Sequence, residues 1–215
     1  MNYFKLLSLN KSILRIFQLC KFNNKRLYGQ CIEFGADYRP EKNFAKPLSK
    51  NYKITYSNIS PSKKNLLKID LEKNLKHHIK YDKVIIFNVL EHVSNYKKAL
   101  KNLFLLLKKN GEIIGSTPFL YQIHGAPKDF TRFTKQHLEK ILKENNFKNI
   151  YVEELGTGPF LACISLLRGY IKYIPIIYQI LIIIAVSFDK TLSLFMKTNP
   201  KILFPIGYIF FAKKK

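Results

Sequence analysis

The chain has 215 residues, 47% of them apolar, which suits one globular domain with its own core and argues against a disordered segment. Lys and Arg number 37 against 14 Asp and Glu, a formal charge of +23, so the surface is basic and suited to nucleic acid, anionic lipid or acidic substrates. A genome-wide bias towards Lys, Asn, Ile and Tyr would raise the same count without any such partner. Cys20, Cys31 and Cys163 are an odd number with no Cys-x-x-Cys spacing, which implies neither a disulfide framework nor a zinc site and fits a reducing compartment.

Residues Met1–Phe22 set Lys5 and Lys11 among Leu6, Leu7, Leu9, Ile13, Leu14, Ile16, Phe17 and Leu19. They lack the uninterrupted apolar core and cleavage site of a signal peptide and read as a basic amphipathic helix, which either packs on the domain or meets a membrane surface. Gln30–Gly35 reads as a first strand with its turn, Tyr52–Tyr56 as a second and Leu66–Leu71 as a third. Asp82–Phe87 is an apolar run suited to a strand buried on both faces. Ser94 can cap the next helix, in which Ala99, Leu100, Leu103, Phe104 and Leu107 recur at helical spacing. Asn110-Gly111 ends that helix, Glu112–Thr117 is the next strand, and Pro118 stops it. A strand, helix and strand of this length make a right-handed crossover in a parallel sheet, whose ligands lie beyond the carboxyl ends of the strands. Those ends are Asn88–His92 and Thr117–Phe119.

The loop from Pro118 to Thr134 carries His124, Lys128, Asp129 and Arg132, interleaved with Phe130 and Phe133. Asp129 and Arg132 can pair to shape the loop, and Thr134 can cap the helix Lys135–Asn146 with Leu138, Ile141 and Leu142 inward. Equally, a His with an acid beside it can hold one tautomer and take a proton from a hydroxyl or amine. Phe147–Glu153 and Pro205–Ala212 read as the last two strands. Between them, Tyr173–Phe188 has 16 residues without a charge. As a helix it would span about 24 Å, short of the roughly 30 Å hydrocarbon core. An interfacial segment, with Arg168 and Lys172 as headgroup anchors, or a helical hairpin covering the sheet fits better than a crossing.

The string NVLEHV, a helix, and then LLKKNGEIIGSTPF resembles class I S-adenosylmethionine (SAM)-dependent methyltransferases of the type 11 kind. The loop HGAPKDFTRFT resembles a branch found near surface-glycan and lipid-modification genes. The resemblance covers roughly residues 29–154 and a last strand near the C-terminus. It implies an α/β fold: a Rossmann-like, seven-stranded, mostly parallel sheet flanked by helices, with the last strand antiparallel. Four segments follow: a basic amphipathic helix (1–28), the methyltransferase-like core (29–155), an apolar helical insertion suited to membrane association (156–203), and the last core strand with a basic tail (204–215).

The resemblance also implies SAM as cofactor and assigns its site. Glu33 would fix the methionine part, and Gly35 and Ala36 would let backbone approach the ligand. Asn58 would meet the ribose, Asp70 and Leu71 the adenine, and Asn88 and Leu90 would close the adenine side. Two features depart from the family pattern: the first turn reads Gly35-Ala36-Asp37-Tyr38-Arg39-Pro40 instead of Gly-x-Gly-x-Gly, and Asn58 stands where an acid is usual. His124, Asp129 and His92 are the candidate catalytic residues, with no metal ligands expected. The expected activity is methyl transfer to a small-molecule, glycan or lipid-linked acceptor, in the cytoplasm or at the inner face of a membrane. The alternatives are an inactive methyltransferase-fold scaffold at a membrane and, prompted by the charge, a nucleic-acid methyltransferase, for which no Asn-Pro-Pro-Tyr motif appears.

Overall fold

The computed structural model describes residues 11–46, 50–61, 65–75, 79–125 and 128–215. Residues 1–10 of the expected N-terminal helix and Ala126-Pro127 of the polar loop lie outside the described residues. The chain groups into two compact units, one of residues 25–117, 124–152 and 209–215, the other of the described part of 1–24 with 118–123 and 153–208.

Seven strands form one sheet: β1 Gly29–Phe34, β2 Tyr52–Asn58, β3 Leu67–Lys68, β4 Tyr81–Phe87, β5 Leu107–Pro118, β6 Lys148–Leu155 and β7 Gly207–Lys213, in the order β3-β2-β1-β4-β5-β7-β6. Pairing is parallel from β3 through to β5, with Ile32 opposite Val84 and Ile85 opposite Ile114. The central strands are continuous apolar runs because both faces are covered, and Cys31, Ile32, Val84, Ile85 and Ile86 are wholly buried. β7 runs antiparallel. The N–H of Asn110, early in β5, donates to the Lys214 carbonyl, whereas the N–H of Phe119, just past its end, donates to the Ile206 carbonyl. The mostly parallel Rossmann-like sheet with an antiparallel last strand is therefore present.

Helix α1 is Ile13–Phe22, α2 Tyr96–Leu106, α3 Lys135–Glu144, α4 Pro159–Leu166 and α5 Pro175–Phe195. In the first unit, α2 buries Ala99, Leu100 and Leu103 of the expected stripe together with Leu106, while Phe104 is half-buried and Leu107 belongs to β5. Its cap is Asn95, whose side chain accepts from Lys98 N–H; Ser94 instead gives its hydroxyl to Glu72 at 2.5 Å. Asn110-Gly111 does not end this helix. Leu107 is already extended and buried, and β5 begins there. Tyr81 faces Leu107 while Lys83 faces Glu112, so five steps of one strand oppose two of the other. The surplus bulges out, and Asn110 takes φ 62 within the bulge. β3 is shorter than Leu66–Leu71, and β2 runs on to Asn58. Thr134 caps α3 as expected, with Leu138, Ile141 and Leu142 buried.

In the second unit, α1 buries Ile13, Leu14, Ile16, Leu19, Cys20 and Phe22, and Lys21 Nζ meets Glu153 at 2.5 Å. This described part of the amphipathic helix is packed on its own unit. The apolar segment 173–188 enters a longer helix at Pro175. α5 has 21 residues, about 31 Å at 1.5 Å per residue, and runs on through Asp189 and Lys190. Its length and mean hydropathy of 1.6 qualify it to cross a membrane by composition, with 22% of that stretch buried in the protein. Tyr178, Ile182, Ala185 and Asp189 form its buried stripe. The Asp189 carboxylate, fully buried, accepts from the Thr157 hydroxyl at 2.6 Å and from the amides of Phe160 and Leu161 at 3.0 and 3.1 Å. α4 has no capping side chain of its own, so Asp189 serves as its cap from another helix. A Cβ on Gly158 would lie 2.6 Å from Asp189 Oδ1, so this contact requires glycine there.

Candidate active site

β1 and β4 end side by side in the first unit, and both turns that follow are tight. Gly35 takes φ 69, and a Cβ there would lie 2.5 Å from Val89 Cγ2, so the two turns touch only because residue 35 has no side chain. Asn88 takes φ 54, a left-handed conformation that Asn tolerates, and its N–H donates to the Ser116 carbonyl at 2.9 Å. Beyond these turns lies a cavity of about 210 Å³. Phe34, Ile59, Ile69, Leu71, Val89 and Val93 supply apolar walls, and Gly35, Asn58, Asp70, Glu72, Asn88 and His92 complete the lining.

Several polar groups of this lining are held in place by the chain. The Asn58 amide donates to the Ala36 carbonyl at 2.9 Å, and its oxygen accepts from Ser60 N–H at 3.0 Å. Asp70 Oδ1 accepts from Glu72 N–H at 2.9 Å, with Lys73 Nζ 3.7 Å from Oδ2. Glu72 accepts from Ser94 Oγ and Asn95 N–H, which ties this rim to the start of α2.

Of the residues assigned to the cofactor from sequence, the structure brings Gly35, Asn58, Asp70, Leu71 and Asn88 to the cavity. It does not bring Glu33, Ala36 or Leu90 there. Both Glu33 oxygens accept backbone amides, Phe44 and Ala45 N–H at 2.9 Å each, and the acid is buried in pinning that loop, where Phe44 stacks on Phe87 at 4.0 Å. Ala36 offers its carbonyl to Asn58, and its side chain is buried. Leu90 is a core residue with no exposure, and its neighbour Val89 lines the cavity instead.

The candidate catalytic residues do meet. His92 lines the cavity, and its ring lies edge-on to that of His124 with centroids 4.9 Å apart. His92 Nδ1 is 2.7 Å from the Lys128 carbonyl, so the proton sits on Nδ1 and the lone pair on Nε2. His124 Nδ1 lies 3.4 Å from Asp129 Oδ2, which also accepts the His124 N–H at 3.0 Å. Arg132 grips both Asp129 oxygens at 2.5 and 2.6 Å and holds this carboxyl down to about 2. The ion pair and the histidine contact, alternatives on sequence, coexist on one carboxylate. Glu91 joins the group: it is fully buried beside His92 in the turn Leu90–His92, and burial pushes its carboxyl up to about 8. Sequence reasoning missed Glu91, although its place next to His92 beyond a strand end was visible; its burial was not.

A family model described as a methyltransferase domain matches residues 7–152, and the chain belongs to that family. No curated protein gives a significant sequence match. Among solved structures, the chain is similar to Haemonchus contortus phosphoethanolamine N-methyltransferase 2, solved with phosphomonomethylethanolamine and S-adenosylhomocysteine. Identity is 14% and the TM-score 0.55, over 94% of this chain and 52% of that one, so the chain spans about half that enzyme's length. A SAM-dependent methyltransferase of Thermotoga maritima is 16% identical, with a TM-score of 0.59 over 95% of this chain and 90% of the other. Burkholderia thailandensis 1,6-didemethyltoxoflavin-N1-methyltransferase, with its substrate and S-adenosylhomocysteine bound, is 12% identical, with a TM-score of 0.54 over 94% and 78%. At these identities the likeness is one of fold.

Proposed function

We propose that the chain is a SAM-dependent methyltransferase acting on a small-molecule, glycan or lipid-linked acceptor. The observation that carries this reading is the cavity beyond the carboxyl ends of β1 and β4, with apolar walls and Asp70, Asn58 and Asn88 at its polar edge. An apolar slot with an acid beside it suits a purine ring with its amino group. At about 210 Å³ the cavity is smaller than the roughly 300 Å³ of common small-molecule sites, so the residues fit the adenosine end of the cofactor. Asp70 and Leu71 would hold the adenine, Asn58 the ribose, and Gly35 would admit the ligand close to backbone. When bound, SAM supplies an electrophilic methyl group on a sulfonium. The chain's part is to align the acceptor, exclude water and take a proton where the acceptor carries one. The Nε2 lone pair of His92 is the group to receive that proton, and Asp129 orients His124 beside it.

The acceptor is proposed to come from a membrane surface in the cytoplasm. Tyr170, Leu194 and Phe195 are 82%, 80% and 81% exposed, and Ile176, Ile180, Ile183 and Phe188 lie exposed on α5. Across residues 156–206 the basic residues are Arg168, Lys172, Lys190, Lys197 and Lys201, and the only acid is the buried Asp189. Exposed Ile and Tyr edged by Lys and Arg suit the interface of an anionic bilayer.

A second reading, a methyltransferase-fold scaffold without catalysis, draws on Glu33, whose two oxygens serve Phe44 and Ala45 and not the cavity. Calorimetric titration with SAM and S-adenosylhomocysteine separates the two. Micromolar binding, weakened at least tenfold by Asp70→Ala, supports the enzyme, and the absence of binding to folded protein supports the scaffold.

A further inference from the structure

Glu91 poses a physical problem. Its side chain has no exposure, and neither carboxyl oxygen has a hydrogen-bond partner among the described residues. Its backbone carbonyl, by contrast, accepts from Phe130 and Thr131 N–H at 2.7 and 3.3 Å, so the turn itself is fixed. A buried acid without partners is costly and calls for an explanation.

Two imidazoles stand within reach. Glu91 Oε1 is 3.8 Å from His92 Nε2, and the ligand atoms of Glu91, His92 and His124 all lie within 4.8 Å of one another. Each ring is also held by the protein. His92 Nδ1 meets the Lys128 carbonyl at 2.7 Å, and His124 Nδ1 faces Asp129, itself gripped by Arg132. A backbone carbonyl on one histidine and a carboxylate on the other is the outer-shell arrangement that orients metal-ligating imidazoles.

We propose that Glu91, His92 and His124 form a binding site for a divalent transition-metal ion of the zinc or iron(II) type. Two neutral imidazoles and one carboxylate carry a single negative charge, which a divalent cation neutralises with one positive charge left for an incoming anionic oxygen. The set of two nitrogens and one oxygen suits Zn²⁺, Fe²⁺ or Co²⁺ and not Mg²⁺ or Ca²⁺, which take oxygen ligands. Ligands about 2.0–2.2 Å from a metal stand roughly 3.4 Å apart in a tetrahedron, so the three side chains close by about 1 Å on loading. Three protein ligands leave an open position. His92 also lines the cofactor cavity, so that position adjoins the proposed acceptor side. Ligation and proton acceptance use the same His92 Nε2 lone pair. With the site occupied, His92 could not also act as base; the cation would bind the acceptor oxygen and acidify it, and the acceptor's proton would leave to solvent. The metal site goes beyond the methyl-transfer reading and is tested without it.

The test is titration of chelator-treated full-length chain with Zn²⁺ by calorimetry and with Co²⁺ by visible absorption. The expected result is one equivalent bound in the micromolar range or tighter, with a Co²⁺ ligand-field spectrum of low coordination number. Glu91→Gln and His124→Ala each weaken binding at least tenfold, while circular dichroism and SAM affinity stay as in the parent chain. The pair His77-His78, consecutive in sequence, is the control: the double change to Ala leaves the tight site intact. Binding no tighter than millimolar, equal binding in the Glu91 and His124 variants, or loss only on changing His77 and His78 overturns the proposal.

Discussion

Replacing Asp189 by Ala is expected to unfold the packing of α4 against α5. In the native chain this carboxylate accepts three hydrogen bonds, from the Thr157 hydroxyl and the Phe160 and Leu161 amides, with no exposure to water. The two amides belong to the first turn of α4, where no preceding residue bonds them within the helix. Leaving each unpaired costs about 1–3 kcal/mol, and the Thr157 hydroxyl can turn elsewhere. Removing a buried carboxylate recovers part of its desolvation cost. The net loss is therefore about 2–4 kcal/mol. Asp189→Asn keeps one acceptor oxygen but faces a donor with its NH₂, so about half that loss is expected. The chain has no Trp, so urea unfolding followed by far-ultraviolet circular dichroism is the suitable assay. An Ala variant within 0.5 kcal/mol of the parent would refute the capping role.

The other predictions concern the site and the surface. Burial raises Glu91 to about 8 from its ordinary 4.5, so the folded metal-free chain holds a proton that the unfolded chain releases between those values. The stability this gives is full below pH 4.5 and is lost as pH rises through 8. Glu91→Gln should therefore match the parent in melting temperature at pH 5 and exceed it at pH 8, by a stability difference on the order of 1–3 kcal/mol; a constant difference across that range would contradict the assignment. Ile176→Asp with Ile180→Asp, both exposed positions of α5, should leave the melting temperature unchanged and abolish co-sedimentation with phosphatidylserine vesicles. Retained co-sedimentation would remove the membrane face from the account.

What the sequence made legible follows from periodicity. β4, the apolar face of α2 and the Glu112–Thr117 stretch of the next strand were readable because Val84–Phe87 is continuously apolar and Ala99, Leu100 and Leu103 recur at helical spacing. Thr134 as a cap and Leu138, Ile141 and Leu142 as a buried face followed in the same way. The extent of β5 was not legible, since Asn110-Gly111 carries the same signal in a helix cap and in a bulge, and only the pairing of Tyr81 with Leu107 decides between them. The length of α5 was hidden because Asp189 looks like a solvent residue until its partners, about thirty positions earlier, surround it.

At the site, Asp70, Asn58, Gly35 and Asn88 were candidates through the family resemblance alone, and all four line the cavity. Glu33 could not be placed, because an acid at a strand end serves a ligand or a neighbouring loop, and the amides of Phe44 and Ala45 claim it here. The meeting of His92 with His124, 32 residues apart, rests on the path of the polar loop, which no local pattern encodes.

A crystal structure of the chain with S-adenosylhomocysteine tests most directly whether the cavity beyond the β1 and β4 turns holds the cofactor. Adenine is expected between Leu71 and Val89 with its amino group towards Asp70, and ribose beside Asn58. Nucleoside density elsewhere, or an empty cavity in crystals grown at saturating ligand, would contradict it.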